Sequence, residues 1–389
     1  MADTIKPRDG MELRQAIEWA LAEGVTLDIR GEGSKLALGR PMRCDQVLDL
    51  SGISGVVDYA PEELVVTVRA GTPLREVEAL LAQRNQMLAF EPPDLGPLMG
   101  GEAGKGTLLG ALMGNLAGPR RLSAGAARDH LLGFSGVNGR GEAFKSGGKV
   151  MKNVTGYDLS KLLAGSWGTL AVLDEVSVKV LPAPDQTRTL ILHGLEDGVA
   201  IKAMCAAMGS PYEVSGAAHV GGRTALRLEG VAPSVEARLK GLRDLLGELA
   251  GSMEELGTLE SRTLWREIRD VAPLAASGDT VVWRVSCPPT EGPAIVARVA
   301  AERPEARAFY DWSGGLIWLA LPSSADADHA LVRGALGVAG GHATLIRAPA
   351  EVRATVPVFQ PPSAALAALA ERVKESFDPR RIFNPGRMG

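Results

Sequence analysis

The chain has 389 residues, of which 46% are hydrophobic and 23% charged, as is ordinary for a globular protein. A chain of this length is longer than a single hydrophobic core usually supports, so we expect two domains. The formal net charge of −4 gives no general attraction to nucleic acid or to anionic lipid. Three widely separated cysteines, Cys44, Cys205 and Cys287, argue against a disulfide framework and against a cysteine-bound zinc or iron–sulfur site in this chain.

The first twenty residues carry charges where a secretion signal would need an apolar run. No apolar stretch of 18 residues occurs elsewhere, so we expect no membrane-spanning helix. A cytoplasmic protein is the default expectation.

The N-terminal hundred residues predict helices and short strands in alternation. Apolar residues at helical spacing predict a helix over 11–23 that stops at Gly24. The segments VLDL, GVVDYA and LVVTVRAG predict three short strands. Thr72 is expected to cap a helix that begins at Pro73, since proline is favoured at the first helical position.

A glycine-rich turn, RGEGSK, follows the strand predicted before residue 31 and is closed by Gly39. Its backbone N–H groups, the Ser34 hydroxyl and the Lys35 ammonium can together bind a phosphate. The turn matches neither a Walker loop nor a GxGxxG fingerprint. A plain strand-to-strand turn is the alternative interpretation.

The stretch from 104 to 182 contains many glycines spaced among apolar residues, unlike a flexible linker. This spacing suits a backbone that passes close to a ligand, because glycine has no Cβ and admits positive φ. HLLGFSGVNGRGEAFKSG predicts a hairpin with its turn at Asn138-Gly139. TGYDLSKLLAGS predicts a short helix, and TLAVLDEVSVKVLP predicts a long strand that Pro182 ends.

Three segments resemble the FAD-binding domain of the family that includes p-cresol methylhydroxylase, vanillyl-alcohol oxidase and the D-2-hydroxyacid dehydrogenases. Within that family, they are most similar to the FAD-binding (E) subunits of bacterial glycolate oxidases. The segments are RGEGSKLALG, GTLLGALMGNLAGPRRLSAGAARDHLLG with the later MKNVTGYDLSKLLAGSWGTLAVLDEVSVKVLP, and FDPRRIFNPGRM. The resemblance covers residues 1 to about 182 and the last thirty or so.

This resemblance implies an α+β fold in three parts. A two-subdomain FAD-binding domain of the p-cresol methylhydroxylase (PCMH) type occupies 1–183. An α+β, ferredoxin-like cap with an antiparallel sheet occupies 184–349. The segment 350–389 returns to the first domain.

The resemblance also implies which residues hold FAD. The first loop wraps the pyrophosphate, the second segment passes along flavin and pyrophosphate, the late segment closes over the adenosine end, and the C-terminal motif returns to the flavin ring. The matching positions are Gly31, Gly33, Ser34, Lys35 and Gly39, then Thr107, Gly110, Asn115 and Gly118, then Gly165, Gly168, Thr169 and Val172, and finally Asn384 with Pro385.

The chain departs from the family pattern at several of these segments. Glu32 replaces a usual glycine, and we expect its side chain to point outward, because a carboxylate would repel a pyrophosphate. Leu109, Gly114 and Ala171 also differ from the pattern. Relatives that bind FAD covalently use a His in the first loop or a later Cys. Residues 30–39 hold no His and 104–182 no Cys, which predicts non-covalent FAD.

The second half predicts strands and helices in alternation, as expected for the cap. In the strand VVWRVSC, Arg284 is the candidate for binding a substrate carboxylate, with a surface salt bridge or a strand-face charge as the alternative. Trp283, Trp312 and Trp318 are expected in the core. Arg120 and Arg121 are candidates for phosphate, or form a solvent-facing pair. Lys152 and Tyr157 meet cofactor or partner, or have structural roles.

No catalytic residue is assigned from the sequence. Relatives that oxidise 2-hydroxy acids alone use histidines and a carboxylate around a metal, followed by an EHG-type segment. Here His193, His219, His329 and His342 show neither HxxxxxxH spacing nor EHG, so we expect no metal site.

The resemblance therefore implies a FAD-binding subunit of a glycolate oxidase. Its expected partners are the catalytic FAD subunit and the iron–sulfur subunit, which would pass electrons to a quinone and could hold the chain at the inner membrane face. A self-sufficient FAD-dependent D-2-hydroxyacid dehydrogenase is one alternative. A scaffold that has lost its flavin is the other, supported by Glu32, Leu109 and Ala171.

Overall fold

The computed structural model describes residues 3–148, 157–249, 251–276 and 279–388. Lys152 lies outside the described residues. Among the described residues, no helix combines the length and the apolar character needed to cross a lipid bilayer.

Up to residue 182, the described residues form ten strands and six α-helices. The strands are β1 (Asp3–Ile5), β2 (Leu27–Arg30), β3 (Gln46–Asp49), β4 (Val56–Ala60), β5 (Val65–Arg69), β6 (Gln86–Met87), β7 (Leu131–Asn138), β8 (Ala143–Gly147), β9 (Ala171–Lys179) and β10 (Leu181–Pro182). The helices are α1 (Gly10–Glu23), α2 (Leu74–Ala82), α3 (Leu108–Met113), α4 (Arg121–Ala124), α5 (Ala127–His130) and α6 (Leu159–Leu163).

These strands form two principal sheets, which are the two subdomains of the expected architecture. The smaller sheet is parallel, in the order β1–β3–β2. The larger is antiparallel, in the order β4–β5–β9–β7–β8. β6 and β10 form a separate antiparallel pair. The predicted hairpin is confirmed as β7 and β8.

Local chemistry explains where the first helices begin and end. Asp9 caps α1 by accepting hydrogen bonds from Met11 N and Glu12 N, and Gly24, at φ +69°, ends the helix as predicted. The expected capping role of Thr72 is wrong. Its hydroxyl donates to the Arg69 carbonyl and accepts from Gly55 N instead, so it fixes the strand before α2.

The part after residue 185 is built on one eight-stranded antiparallel sheet in the order β14–β11–β13–β12–β16–β17–β15–β18. Its strands are β11 (Gln186–His193), β12 (Gly216–Val220), β13 (Arg223–Gly230), β14 (Ser252–Leu256), β15 (Thr280–Ser286), β16 (Arg307–Asp311), β17 (Leu316–Pro322) and β18 (His342–Arg347). Its helices are α7 (Asp197–Met208), α8 (Ala232–Leu246), α9 (Thr258–Arg269), α10 (Ala272–Ala275), α11 (Gly292–Glu302) and α12 (His329–Gly334), followed by α13 (Ala350–Thr355) and α14 (Ala364–Phe377).

The two faces of this sheet pack against different partners, because alternate side chains of a strand point to opposite faces. One face, including Trp283 and Ile317, packs with the helices in one core. The other face, including Trp318, packs with Leu95 and Leu116 of the N-terminal part. The cap therefore uses its second face to cover the first domain.

The C-terminal segment returns to the N-terminal part beside β2. Phe383 forms a parallel bridge with Leu27, and its side chain is fully buried in the N-terminal core. Asn384 N donates to the Leu27 carbonyl. The last residues thus reach the end of β2, next to the first glycine loop.

Candidate functional site

A cleft of about 640 Å³ lies where the loop after β2, the start of α3 and the C-terminal segment meet. A second concavity, of about 1160 Å³, shares the loop residues Gly31–Leu36 except Lys35 and continues past Asp49 and Lys105. A ligand longer than either space can therefore contact both sides of the first loop. Eight residues predicted to bind FAD line the cleft: Gly31, Gly33, Ser34, Lys35, Thr107, Gly110, Gly168 and Asn384.

Lys35 gives this cleft a cation without a counterion. Its ammonium nitrogen lies 3.3 Å from Ser34 Oγ, and the described residues provide no ion pair for it. Burial lowers the pKa of Lys35 to about 8, although the charges of Asp94 and Glu32 act in the opposite direction. Since burying an unpaired charge is costly, the cleft is suited to an anionic ligand.

The glycines around Lys35 allow the two loops to approach closely. A Cβ at Gly31 would come within 2.8 Å of Thr107 Cγ2. A Cβ at Gly106 would come within 2.8 Å of Ser34 Oγ and 3.3 Å of Lys35 Nζ. A side chain at Gly31 would clash with Thr107, and one at Gly106 would fill the space beside the ammonium. The residues present therefore fit the pyrophosphate of FAD, which needs backbone N–H groups and a cation at close range.

The side chain of Glu32 does not point outward, so that expectation is wrong. Its carboxylate accepts a hydrogen bond from Gly106 N at 2.6 Å and pairs with Arg75 Nη1 at 3.0 Å. Only 15% of the side chain is exposed. Glu32 thus joins the first glycine loop to the second, and Arg75 compensates its charge.

Asn384 connects three chain segments at the cleft. Its Oδ1 accepts from Ile29 N at 2.8 Å, and its Nδ2 donates to the Trp167 carbonyl, also at 2.8 Å. The residue has φ +43°, a left-handed conformation that asparagine tolerates better than most residues. A Cβ at Gly168 would come within 2.9 Å of this Nδ2, which explains the glycine there.

Arg387 is a cleft residue that the sequence analysis missed. Its Nη2 donates to the Lys35 carbonyl at 2.8 Å, and its guanidinium lies 5.4 Å from the centre of the Trp167 ring. Its Nε is buried and has no hydrogen-bond partner within the described chain. The signal was available, because Arg387 follows the recognised asparagine–proline–glycine motif directly. An orphaned donor at this place can bind an acceptor of the cofactor.

The other seven positions matched to FAD binding, Pro385 among them, lie outside the cleft lining, and their roles in binding stay predictions. Gly39 accepts a hydrogen bond from Arg353 at its carbonyl, and Asn115 Oδ1 accepts from Arg128 N. Val172 is buried in the core. The remaining three sit in turns or at the domain boundary: Gly165 at φ +91°, Thr169 bonded to the Ser166 carbonyl, and Gly118 beneath the cap.

Arg284 is not part of a surface salt bridge. The side chain is half-buried on the sheet face that covers the first domain, 5.0 Å from the centre of the Trp312 ring. Burial, followed by the charge of Arg121, lowers the pKa of Arg284 to about 10. Trp283, Trp312 and Trp318 are buried, as predicted. Tyr157 is 91% exposed.

The two arginines at 120 and 121 do not form a solvent-facing pair. Arg120 donates from Nε to Glu229 at 2.8 Å and pairs with Glu91 at 2.6 Å. Arg227 pairs with the same Glu91 at 2.9 Å. Two arginines and two glutamates therefore form a buried ion cluster between the first domain and the cap. Burial acts to raise the pKa of Glu229, but Arg227 and Arg120 hold it at about 2.

Two of the histidines, His219 and His130, have structural surroundings. His219 contacts Thr224 Oγ1 at 2.8 Å, and His130 lies between the carbonyls of Ala124 and Lys179. Within the described ranges, no group of three or more His, Cys, Asp or Glu side chains is placed to hold a metal ion.

Comparisons with known proteins agree with this geometry. Residues 2–147 match the family model described as FAD binding domain. The solved structure of p-cresol methylhydroxylase with substrate bound superposes with a TM-score of 0.71 over 99% of this chain and 88% of that one, at 13% identity. Alkyldihydroxyacetonephosphate synthase gives 0.70 over 98% and 76%, at 15% identity. The expected fold class, an α+β PCMH-type domain with a cap, is confirmed.

Sequence similarity identifies the family of the protein more narrowly than the fold does. The glycolate oxidase subunit GlcD of Bacillus subtilis is 31% identical over 188 residues, 48% of this chain and 38% of its own length. The glycolate oxidase subunit GlcE of Escherichia coli is 36% identical over 379 residues, 97% of this chain and 96% of its own length. Because that identity extends over nearly both whole chains, the protein belongs to the family of the glycolate oxidase subunit GlcE, among the FAD-dependent oxidoreductases.

Proposed function

We propose that the chain is the FAD-binding subunit of a complex that oxidises glycolate to glyoxylate. It holds FAD non-covalently and relies on partner subunits for turnover. The partners are a catalytic FAD subunit and an iron–sulfur subunit that carries electrons onward. The cytoplasm, or the inner membrane face through these partners, is the proposed location.

One observation carries this proposal: the cleft between the glycine loops contains the unpaired Lys35 ammonium. An anionic dinucleotide would supply the counterion that Lys35 lacks. The extended similarity to a glycolate oxidase subunit supports the choice of substrate and partners. The lack of His in 30–39 and of Cys in 104–182 supports non-covalent binding.

The residues of the cleft would divide the binding between them. Lys35, Ser34 and the backbone of the first loop bind the pyrophosphate. Thr107, which caps α3 by accepting from Gly110 N at 3.0 Å, orients the second loop beside it. Asn384 fixes the C-terminal segment, and Arg387 offers its orphaned Nε to an acceptor. When bound, FAD supplies the hydride acceptor that glycolate oxidation requires.

The visible spectrum of the purified chain tests the proposal. We expect a yellow protein that releases FAD on acid precipitation and that glycolate reduces only after the partner subunits are added. A chain that remains colourless when FAD is supplied would refute cofactor binding. Flavin that stays with the precipitate would refute non-covalent attachment. Bleaching by glycolate in the isolated chain would instead support a self-sufficient dehydrogenase.

A further inference from the structure

Two arginines lie close to the ring of one tryptophan at the boundary between the first domain and the cap. The guanidinium carbon of Arg121 lies 4.7 Å from the centre of the Trp312 ring, and that of Arg284 lies 5.0 Å from it. Neither guanidinium has a hydrogen bond or an ion pair with any described residue, although both are half-buried. This differs from the neighbouring Arg120 and Arg227, whose charges are fully paired with carboxylates.

The electrostatics of the pair are unfavourable without a ligand. Burial lowers the pKa of both arginines, and the charge of Arg121 lowers that of Arg284 further. The buried Asp311 offers Arg284 little compensation, because burial raises the pKa of Asp311 to about 7 and its Oδ1 accepts from Trp312 N. Two partly desolvated cations of this kind favour a bound anion.

The tryptophan that both arginines contact is held in a strained conformation. Trp312 has φ +51° and Ser313 has φ +59°, in the turn that connects β16 with β17. Such left-handed backbone is uncommon for a bulky residue and is typical of binding sites. The indole Nε1 donates to the Gly118 carbonyl at 3.0 Å, so the ring is tied to the first domain.

Strand register places further donors beside Arg284. On β15, Arg284 lies opposite Thr344 of β18, and Ser286 lies opposite His342. Residues two apart on a strand share a face, so all four belong to the face that covers the first domain. The hydroxyls of Ser286 and Thr344 have no hydrogen-bond partner among the residues that the structure describes.

We propose that Arg121 and Arg284, held against Trp312, form a binding site for the carboxylate of a small organic acid at the domain boundary. The hydroxyls of Ser286 and Thr344 complete its donors. The inference rests on the proposed function for the identity of the anion, a 2-hydroxy acid. It adds that this chain, and not only a partner subunit, binds that acid. Nothing in the site requires the flavin for anion binding.

Calorimetric titration of the full FAD-loaded chain with oxalate, a small carboxylate that cannot donate a hydride, tests the site. Charge-assisted hydrogen bonds predict that Arg121→Gln and Arg284→Gln each weaken oxalate binding about tenfold or more. Arg284→Lys keeps the charge but loses the paired N–H groups, and should fall between wild type and Arg284→Gln. Arg243→Gln is the matched control, because Arg243 pairs with Glu255 on an exposed surface of the cap.

Three outcomes would overturn the inference: no oxalate binding by the wild type, unchanged binding in both Gln variants, or an equal loss in Arg243→Gln. The flavin spectrum separates this result from the proposed function. If the chain holds FAD and is reduced by glycolate with its partners while the Gln variants bind oxalate normally, only the carboxylate site is refuted. If the chain never binds FAD, the same titration on the flavin-free chain still decides the site.

Discussion

Replacing Glu229 with glutamine tests whether the buried ion cluster holds the cap on the first domain. Glu229 accepts from Arg120 Nε at 2.8 Å and lies 3.6 Å from Arg227 Nε, with 10% of its side chain exposed. The Glu229→Gln variant leaves two buried guanidinium groups with Glu91 alone. Removing one partner from such a group costs about 3 to 5 kcal/mol of unfolding free energy.

The pKa of Glu229 gives a second value for the contribution of its carboxylate to the unfolding free energy. Its fall from the ordinary 4.5 to about 2 corresponds to about 3 kcal/mol of stability at pH 7. A depressed carboxyl pKa stabilises the fold above the unfolded-state value, and that contribution is lost as pH falls through the folded-state value. We therefore expect the stability difference between wild type and variant to shrink from about 3 kcal/mol at pH 7 to about 1 kcal/mol at pH 3.

Urea unfolding at both pH values, monitored by tryptophan fluorescence, measures this difference. Trp265 is a suitable reporter, because the Arg227 guanidinium lies 4.5 Å from its ring centre. Glu254→Gln is the control, since Glu254 lies half-exposed on β14 and, among the described residues, pairs with His193 alone. The unfolding free energy of this variant should differ from that of wild type by less than about 0.5 kcal/mol. A Glu229→Gln variant as stable as this control at pH 7 would refute the reasoning.

Three further substitutions test the cleft and the cap. Lys35→Met should weaken FAD binding about tenfold or more. The affinity of the wild type for FAD should also fall above pH 8, because the Lys35 ammonium deprotonates there, whereas the affinity of the variant should not. Flavin fluorescence titration at pH 7 and pH 9 measures both effects. Asn384→Ala removes the bonds to Ile29 and Trp167 and should lower the unfolding free energy by about 2 kcal/mol in urea; an unchanged midpoint would contradict that role. Burial raises the pKa of Asp311 from 3.8 to about 7, so ionisation of its carboxyl destabilises the fold. In urea unfolding, the wild type should lose roughly 2 to 3 kcal/mol of unfolding free energy between pH 5 and 8. Asp311→Asn should not show this loss.

Much of the fold could be predicted because its elements have strong local signals. The helix over 11–23 has its apolar stripe and Gly24 at its end, and the cap strands are continuous apolar runs such as LIWLALP. β14 and α9 were not predicted. β14 contains two glutamates in five residues, and its pairing with β11 decides its conformation, which is a tertiary effect.

The side-chain partners at the site could not be predicted, because they lie far apart in the sequence. Glu32 points inward because Arg75 and Gly106 N, more than forty residues away, supply its counterion and donor. Arg120 is buried because the cap brings Glu229 to it. A glycine motif indicates where backbone approaches closely, but not which charges meet there.

The glycines of the recognised motifs are required for two different reasons, close packing beside the cleft and close packing between the first domain and the cap. Their spacing in the sequence does not distinguish the two. Gly31 is small because Thr107 lies beside the cleft, where a Cβ would meet it at 2.8 Å. At Gly118 a Cβ would come within 2.6 Å of the Glu91 carbonyl oxygen, and its own carbonyl accepts from the Trp312 indole. Glu91 belongs to the ion cluster, and Trp312 belongs to the proposed carboxylate site. Gly118 therefore adjoins two contacts between the first domain and the cap, and domain docking accounts for a glycine at this motif position.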